Sequence, residues 1–346
     1  MAPARRALGR PPRVAVVGVG GFGRHHARIY GELTQAGEAK LVGLVDRDVA
    51  RAKEHGDKVG VPVVARLEDL PERPDAVTVA VPTSLHGDVA EPLLRAGVHC
   101  LVEKPVASTS AQARRLVEAA RAGGAVLAVG HVERFNPVLA AVERLGVRPV
   151  FLEVHRLAPY TFRSRDVGVV MDLMIHDLDI VLHLVGEAPS RVEAVGVPVI
   201  GPHEDIANAR LDFPSGAVAN VTASRVSINR MRKIRVFSKD AYVSLDYDKR
   251  QAVLVKTTDR LREVSEDPAA LAALAAAGTP LAFADLVSSE FLAIDDAEPL
   301  KEELRGFVAA VREGGEPRVG GEDGARALAL AETILASIAS RPRPRA

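Results

Sequence analysis

The length, composition and charge of this chain exclude several classes of protein. Its 346 residues, of which 47% are hydrophobic and 26% charged, suffice for two globular domains and are too apolar for general disorder. Lysine and arginine number 45, as do aspartate and glutamate, so no overall positive field attracts nucleic acid or an anionic membrane.

The ends of the chain and its one cysteine bear on where the protein works. Residues 1–12 and 341–346 are rich in proline and arginine, and we expect both to be disordered tails. No apolar segment precedes Arg13, and no run approaches the ~20 apolar residues of a membrane span. The single cysteine, Cys100, excludes intrachain disulfides and is expected to be buried in a strand. We therefore expect a cytoplasmic protein.

Residues 13–132 have the pattern of a Rossmann domain, a doubly wound parallel sheet. Short β-branched runs alternate with helical patterns, which is typical of parallel strands joined by crossover helices. Strands are predicted at Val14–Val17, Leu41–Val45, Ala76–Val81, His99–Val102 and Val126–Val129. Helices are predicted at Leu85–Ala96 and Ser110–Ala122, the second with Ser110 as its N-cap.

The first strand leads directly into a glycine-rich loop, Gly18-Val19-Gly20-Gly21-Phe22-Gly23. In this G-x-G-x-x-G spacing, Gly18 makes a tight turn and Gly20 lets the backbone approach a pyrophosphate. Gly23 allows the following helix to pack closely on the strand, and the N-terminus of that helix attracts phosphate. The loop predicts that the domain binds a dinucleotide.

The end of the second strand indicates which dinucleotide is bound. Asp46 lies 23 residues after Gly23, where a carboxylate can accept hydrogen bonds from both ribose hydroxyls of the adenosine. The same charge repels a 2′-phosphate, so the sequence predicts NAD. Arg47 is the counterargument, because a neighbouring arginine can accommodate the phosphate of NADP.

Residues 133–340 are predicted to form a second α/β domain with an open, mostly antiparallel sheet. Its strands are predicted at Arg191–Val199, Ala207–Phe213, Ala217–Ser224, Ile234–Ser238, Ala241–Asp246 and Gln251–Lys256. Its helices are predicted at Met171–Leu184, Pro268–Ala277, Leu300–Glu313 and Asp323–Ala339. An antiparallel sheet can leave one face for substrate or for another subunit, so we expect a homo-oligomer, a dimer or a tetramer.

Several separate motifs, in order along the chain, resemble the Gfo/Idh/MocA oxidoreductase family. After the glycine loop these are Val81-Pro82-Thr83-Ser84-Leu85-His86, Glu103-Lys104-Pro105, Gly168–Asp179 and Pro299–Ser337. The resemblance implies a Rossmann domain followed by an open-sheet domain, and oxidation or reduction of sugars, inositols or nucleotide sugars with NAD(P). Two positions depart from the family pattern: Val81-Pro82-Thr83 replaces Thr-Pro-Asn, and Gly168-Val169 replaces Gly-Gly.

The resemblance implies a catalytic set of Lys104, Asp172 and His176. Lys104 follows a buried strand at the carboxyl edge of the sheet, where it could stabilise charge on a substrate oxygen. Asp172 and His176 are four residues apart and share a helix face, so the carboxylate can orient an imidazole that acts as general base. The resemblance also implies cofactor contacts from two motifs. The first supplies Pro82, Thr83 and His86, and the second supplies Glu103 and Lys104.

A metal site is the alternative interpretation of the same helix. Asp179 and His183 each follow a catalytic candidate by seven residues, so the four side chains could share a face. No second ligand cluster accompanies them, and hydride transfer assisted by a lysine needs no metal, so we expect none.

The segment Glu133-Arg134-Phe135-Asn136-Pro137 resembles the branch of the family that oxidises UDP-N-acetylglucosamine at C3. Guanidinium groups suit a diphosphate, and the candidate substrate ligands are Arg134, Asn136, Arg156, Tyr160, Arg163 and Arg165. Alternatively, these arginines are ordinary solvated charges, and the protein is a dehydrogenase of inositol or a free sugar. A non-catalytic regulator that senses the cofactor is a third hypothesis, because fold alone does not determine function.

Overall fold

The computed structural model describes residues 7–161, 167–239, 241–258, 267–277 and 286–341. Their contacts divide the chain into two units. The first unit comprises the residues up to 135 together with 297–333, and the second comprises 136–296 together with those from 334 onward. The helices of the described residues are α1 (Gly23–Gln35), α2 (Val49–Val59), α3 (His86–Arg95), α4 (Ser110–Gly123), α5 (Pro137–Glu143), α6 (Ile175–Val185), α7 (Pro268–Ala277), α8 (Pro299–Glu313) and α9 (Gly321–Ser340).

The first unit contains the predicted parallel sheet. Its strands are β1 (Arg13–Val17), β2 (Lys40–Val45), β3 (Val63–Val64), β4 (Ala76–Val79), β5 (His99–Glu103) and β6 (Leu127–Gly130). They lie in the order β3-β2-β1-β4-β5-β6, with every pairing parallel. The order reverses direction on either side of β1, which is the point where such sheets bind ligands beyond their carboxyl ends. The Rossmann prediction is confirmed.

The first unit also includes residues that the sequence prediction assigned to the second domain. The predicted boundary gave all of 133–340 to that domain, whereas 297–333 lie in the first unit. The reason is burial: Leu304, Phe307 and Val311 of α8 belong to the same apolar core as Val16 and Tyr30.

Part of the predicted N-terminal tail is attached to the first unit. The Leu8 N–H donates to the Arg312 carbonyl at 2.9 Å, and Leu8 packs on the core. Arg10 binds Asp75 through two hydrogen bonds of 2.8 and 3.0 Å. The expectation of a disordered tail through residue 12 is therefore wrong for residues 7–12, while 1–6 and 342–346 lie outside the described residues.

The second unit is built on the predicted open sheet. Its strands are β7 (Phe151–Leu157), β8 (Arg191–Val197), β9 (Ile206–Asp212), β10 (Val218–Ser224), β11 (Met231–Phe237), β12 (Ala241–Asp246), β13 (Gln251–Thr257) and β14 (Val287–Phe291). They lie in the order β14-β13-β12-β11-β7-β10-β9-β8. Among the described strands of this second sheet, only β7 and β10 pair in parallel, so the sheet is mostly antiparallel, as predicted. The sequence prediction omitted β7 and β14.

Two local details bear on the sequence predictions. The cap of α4 is Thr109 and not Ser110, because the Thr109 hydroxyl accepts the Gln112 N–H at 3.2 Å. Cys100 is fully buried in β5, as expected, and burial raises the pKa of its thiol. Among the described residues, no helix has the length and apolar character needed to cross a membrane.

Candidate active site

The glycine loop of the first unit packs as its spacing predicts. Gly18 has a φ of 90°, and a Cβ on it would lie 2.6 Å from the Ala80 carbonyl oxygen. A Cβ on Gly23 would lie 1.8 Å from the Gly18 oxygen, so helix and strand approach too closely for any side chain. By contrast, a Cβ on Gly20 or Gly21 would meet no described atom within 4 Å. This open space beside the backbone is where a pyrophosphate would fit.

Asp46 is held at the end of β2 by neighbouring loops. Its carboxylate accepts the N–H groups of Val19 at 2.8 Å and Asp48 at 2.9 Å, and Arg51 lies 3.2 Å from both of its oxygens. Burial raises the pKa of Asp46, but these hydrogen bonds and the arginine charge outweigh it, so the pKa lies below its ordinary value. Asp46 is therefore a fixed negative charge, and Arg51 is a partner that sequence reasoning missed.

A cavity of about 840 Å³ extends beside this loop, within the ~300–1,000 Å³ range of small-molecule and cofactor sites. Gly18, Gly20 and Gly21 line one part of it and Asp46 another. Predicted residues Arg47 and Pro82 line it too, together with Arg51, Arg66 and Leu85, which were not predicted. The glycine loop and Asp46 thus line one cavity within the first unit, and these residues fit a dinucleotide.

Lys104 lies half-buried directly after β5, at the carboxyl edge of the parallel sheet. The preceding Glu103 is buried, and its Oε1 lies 2.9 Å from Nε2 of His26, a fully buried histidine of α1. The Phe22 ring stands edge-on to the His26 ring at 5.2 Å. Buried side chains therefore link the glycine loop to β5, the strand that precedes Lys104. Sequence reasoning missed His26, although its position three residues after Gly23 could have indicated it.

His86 is buried and spans two loops of the first unit. Its ring nitrogens lie 2.9 Å from the carbonyl oxygens of Val81 and Pro105. Burial lowers the pKa of His86, although the carbonyl contacts oppose this. These contacts join the turn at Pro82 and Thr83 to the residue after Lys104, so we assign His86 a positioning role in place of the predicted direct cofactor contact.

The segment predicted to contact substrate contains side chains in different settings. Arg134 is 4% exposed and lies in a short 3₁₀ turn. The Asn136 side chain caps α5 by accepting the Val138 N–H at 3.1 Å. Tyr160 is half-buried after β7, whereas Arg163 and Arg165 lie outside the described residues.

Asp172 and His176 lie together in the second unit, both half-buried. Residues Val170–Met174 form a π-helical turn, and the α-helix begins at Ile175. The predicted continuous helix is therefore interrupted at the catalytic candidates. Single π turns of this kind occur frequently at functional sites, and the wider turn still leaves residues four apart near one face.

The guanidinium group of Arg156 already binds a carboxylate of the same unit. Its Nε and Nη2 each donate to a different oxygen of Asp177 at 2.8 Å, and both side chains are at most 4% exposed. Because this planar fork is occupied by a carboxylate on the helix of His176, we assign Arg156 a structural role in place of the predicted substrate contact.

Asp179 and His183, the other two side chains considered as metal ligands, have different surroundings. His183 Nε2 lies 2.5 Å from Glu143 Oε1, and Asp179 is buried further along the helix. In the part of the chain that the structure describes, no group of three or more metal-ligating side chains is present.

Two family models match the chain. The oxidoreductase family with an NAD-binding Rossmann fold matches residues 12–131, and the GFO/IDH/MocA C-terminal domain matches residues 110–244. The first match covers the parallel sheet, and the second begins at α4 of the first unit and extends through β7–β11 of the second unit into β12.

Similar proteins are also found among curated sequences and solved structures. A UDP-N-acetylglucosamine 3-dehydrogenase of Acidithiobacillus ferrooxidans is 40% identical over 236 residues, which cover 68% of this chain and 74% of that protein. A solved structure of UDP-N-acetylglucosamine 3-dehydrogenase from the same species has a TM-score of 0.82 and 32% identity, covering 95% of this chain and 98% of the other. An inositol 2-dehydrogenase of Rhizobium meliloti is 28% identical, covering 95% and 97% of the two chains. The chain therefore belongs to the GFO/IDH/MocA family of oxidoreductases, and the resemblance seen in its motifs is confirmed.

Proposed function

We propose that the protein is an NAD-dependent dehydrogenase that oxidises the C3 hydroxyl of UDP-N-acetylglucosamine to a 3-keto sugar. The observation that carries the proposal is the 40% identity to a UDP-N-acetylglucosamine 3-dehydrogenase over two thirds of the chain. The cavity beside Gly20 and Asp46 supports the cofactor part of the proposal independently.

The proposed cofactor is NAD in preference to NADP. Asp46 keeps a negative charge where the adenosine ribose would bind, because three donors stabilise its ionised form. Such a carboxylate accepts bonds from the ribose hydroxyls and repels a 2′-phosphate. Arg47 and Arg51 are nearby cations, but Arg51 is already paired with Asp46.

In the proposed mechanism, the residues beside Gly20 and Asp46 would hold NAD, which would supply the acceptor for the hydride from C3 of the sugar. Lys104 donates a hydrogen bond to the C3 oxygen and stabilises the charge that develops on it. A ring nitrogen of His176 accepts the hydroxyl proton, and Asp172 orients the imidazole. The products are the ketone, the reduced nicotinamide and one proton, so atoms and electrons balance.

The diphosphate of a nucleotide sugar would orient the reacting hydroxyl from a distance. Arg134 and Asn136 are the described residues that we propose for this binding, and Arg163 and Arg165 are further candidates from sequence. Binding energy from a remote group of this kind is used to position the reacting atoms. Free N-acetylglucosamine should therefore be a much poorer substrate.

An inositol or free-sugar dehydrogenase is the competing function, favoured by the full-length match to an inositol 2-dehydrogenase. A non-catalytic regulator that senses the cofactor is disfavoured because Lys104 and His176 are both present.

The test is absorbance of reduced nicotinamide when protein and NAD are mixed with UDP-N-acetylglucosamine, free N-acetylglucosamine or myo-inositol. A ketone trap or a coupled aminotransferase removes product if the equilibrium is unfavourable. We expect reduction with the UDP-sugar at a rate well above the other two. Faster turnover of inositol or free sugar would replace the nucleotide-sugar proposal with the alternative.

A further inference from the structure

The π turn Val170–Met174, which carries Asp172 and leads into α6, is held by a glutamate from a distant loop. The Val169 N–H donates to the Glu204 carbonyl oxygen at 2.9 Å, and the Val170 N–H donates to Glu204 Oε1 at 3.1 Å. These two N–H groups belong to the first turn of the helix, where backbone donors lack partners within the helix. Glu204 therefore caps, from outside, the segment that carries Asp172.

Gly168 lies directly against this glutamate. A Cβ on Gly168 would lie 1.9 Å from Glu204 Oε1, and its three nearest atoms all belong to the Glu204 carboxyl group. The Gly168 carbonyl oxygen accepts the Asp172 N–H at 3.1 Å. The contact between Gly168 and Glu204 is thus one hydrogen bond away from the backbone of Asp172.

The residue after Glu204 fixes the loop in place. The fully buried Asp205 carboxylate accepts the N–H groups of Val199, Ile200 and Gly201 at 2.8, 2.7 and 3.3 Å. Its other oxygen accepts Arg225 Nε at 2.7 Å. Burial raises the pKa of Asp205, but these bonds hold it well below its usual range. Its negative charge therefore persists at neutral pH.

Arg225 ties the same loop to the other side of Gly168. Its Nη1 donates to the Val167 carbonyl oxygen at 2.8 Å, and its side chain is 8% exposed. Val167, Val169 and Val170 are therefore all bonded to the Glu204–Asp205–Arg225 group, which leaves Gly168 little freedom to shift.

We propose that Glu204 is a positioning residue for the dehydrogenase reaction, acting through Gly168 on Asp172 and, with it, on His176. The inference rests on the proposed roles of those two side chains. Glu204 itself neither accepts the substrate proton nor contacts the reacting atoms. It sets where the π turn starts, and a shift of about 1 Å in a catalytic group can cost on the order of 100-fold in rate.

The first experiment compares Glu204→Ala and Glu204→Gln in the full chain. Rates are measured with whichever of UDP-N-acetylglucosamine, N-acetylglucosamine and myo-inositol the wild type oxidises. We expect Glu204→Ala to lower kcat about 10-fold or more with the Kd for NAD unchanged, because NAD binds the first unit. Glu204→Gln keeps an oxygen acceptor for the Val170 N–H, so it should retain kcat within about threefold.

The second experiment is a double-mutant cycle with Gly168→Ala. In the wild-type background the new Cβ displaces the glutamate, so kcat should fall by about 10-fold or more. In the Glu204→Ala background the clash is absent, so Gly168→Ala should cost little further, and the two effects are strongly non-additive. Equal losses in both backgrounds would overturn the proposal, as would wild-type kcat in folded Glu204→Ala.

The matched control is Glu187→Ala. Glu187 lies beyond the C-terminal end of the same helix, and its Oε1 accepts the Ser215 N–H at 2.9 Å. This variant loses the same kind of bond in the same unit, so it should reduce stability without lowering kcat. A kcat loss in Glu187→Ala equal to that in Glu204→Ala would assign both to general destabilisation and reject the proposal.

His176→Asn is measured in parallel to separate this inference from the proposed function. If His176→Asn is inactive while Glu204→Ala and Gly168→Ala turn over normally, only the role of Glu204 fails. If His176→Asn keeps wild-type turnover, the proposed base is wrong and the positioning argument fails with it.

Discussion

At the residue scale, the candidate site consists of side chains that loops hold in place before any ligand binds. Asp46 is fixed by two backbone N–H groups and Arg51, and His86 joins the loop after β4 to the loop that contains Lys104. Groups that are already oriented pay less entropy when they bind a ligand. Single substitutions should therefore produce large effects on binding or rate.

Replacing Asp46 by Asn should weaken discrimination between the two nicotinamide cofactors. The wild type should bind NAD more tightly than NADP, because a carboxylate repels the 2′-phosphate. Removing the charge should narrow the ratio of the two Kd values by about tenfold or more, which is what a charged hydrogen bond of ~1.5–3 kcal/mol represents. Fluorescence titration with both cofactors measures it. Wild-type protein that bound NADP at least as tightly as NAD would contradict the assignment.

Lys104→Ala and His176→Asn should each slow turnover without preventing cofactor binding. General-base and charge-stabilising groups typically contribute about 10²- to 10⁴-fold in rate, so kcat should fall by about that factor. The Kd for NAD, measured separately, should stay near the wild-type value. Either variant with nearly normal kcat would remove that residue from the mechanism.

The sequence predicted these residues because motifs mark them locally. The glycine loop, Asp46 and Lys104 all lie at strand ends, where hydrophobic runs make the position evident. Arg156 was misjudged because β7 was not predicted. In that strand Leu152, Val154 and Arg156 alternate with more exposed residues, and a two-residue period places the arginine on the buried face. Its partner Asp177 lies 21 residues away, and local patterns carry no information on such pairs.

At the element scale, the starts of β1 and β4 in the parallel sheet are joined by a network around Asp75. Asp75 precedes β4, and its carboxylate accepts the Arg13 N–H at 2.8 Å and the Arg13 and Arg10 guanidinium groups, each at 2.8 Å. The Asp75 N–H donates in return to the Arg13 carbonyl oxygen at 2.8 Å. This network holds the start of β1 beside the start of β4 and anchors residues 10–13.

Asp75→Asn should reduce the free energy of unfolding, and the reduction should depend on pH. Burial raises the pKa of Asp75, but the bonds from Arg13 and Arg10 outweigh it and hold the pKa well below its usual range. A carboxyl group with a lowered folded-state pKa contributes stability that is complete above its unfolded pKa of ~3.9 and is lost as pH falls towards the folded value. The arginines are partly exposed, so we expect only about 1–2 kcal/mol.

Urea unfolding of wild type and Asp75→Asn from pH 7 down to pH 3 measures this difference. The gap between the two proteins should be constant from pH 7 to about 5 and should narrow below about 4. Because Asp75 is at the opposite end of β4 from the glycine loop, kcat at neutral pH should not change. If the difference in unfolding free energy between wild type and Asp75→Asn widened as pH fell, a lowered pKa for Asp75 would be contradicted.

The hydrophobic pattern also explains what could be predicted about whole elements. The apolar face of α8 was visible as Leu300, Leu304, Phe307 and Val311, but its partner was not. An amphipathic pattern shows that a helix buries one face, but it does not show which core that face joins. That is why the helices predicted at Leu85–Ala96 and Ser110–Ala122 match α3 and α4 of the first unit, while α8 was placed in the second domain.

At the scale of the whole molecule, the outer face of the open sheet exposes apolar side chains. Val195 and Val197 of β8 are 42% and 47% exposed, and Ile206, which pairs with Val197, is 37% exposed. Exposed apolar patches on a sheet are typical of surfaces that bind another chain. We propose that a second copy of this chain covers them.

Val195→Asp with Val197→Asp should dissociate such an assembly. Two buried charges without partners at an interface cost several kcal/mol, so light scattering should show a homo-oligomer for the wild type and a smaller species for the variant. Ile228→Asp is the control, because Ile228 is 94% exposed in the loop after β10. A wild type that stayed monomeric from micromolar to tenfold higher concentration would contradict the proposal.

In the proposed reaction, hydride passes from C3 of UDP-N-acetylglucosamine to NAD. The most direct measurement is mass spectrometry of the reduced cofactor after incubation with UDP-N-acetylglucosamine deuterated at C3, with a ketone trap to remove product. We expect one deuterium in the reduced nicotinamide, and none when the sugar carries deuterium at C4 instead. Unlabelled reduced cofactor from the C3-deuterated sugar, or label transferred from C4, would contradict it.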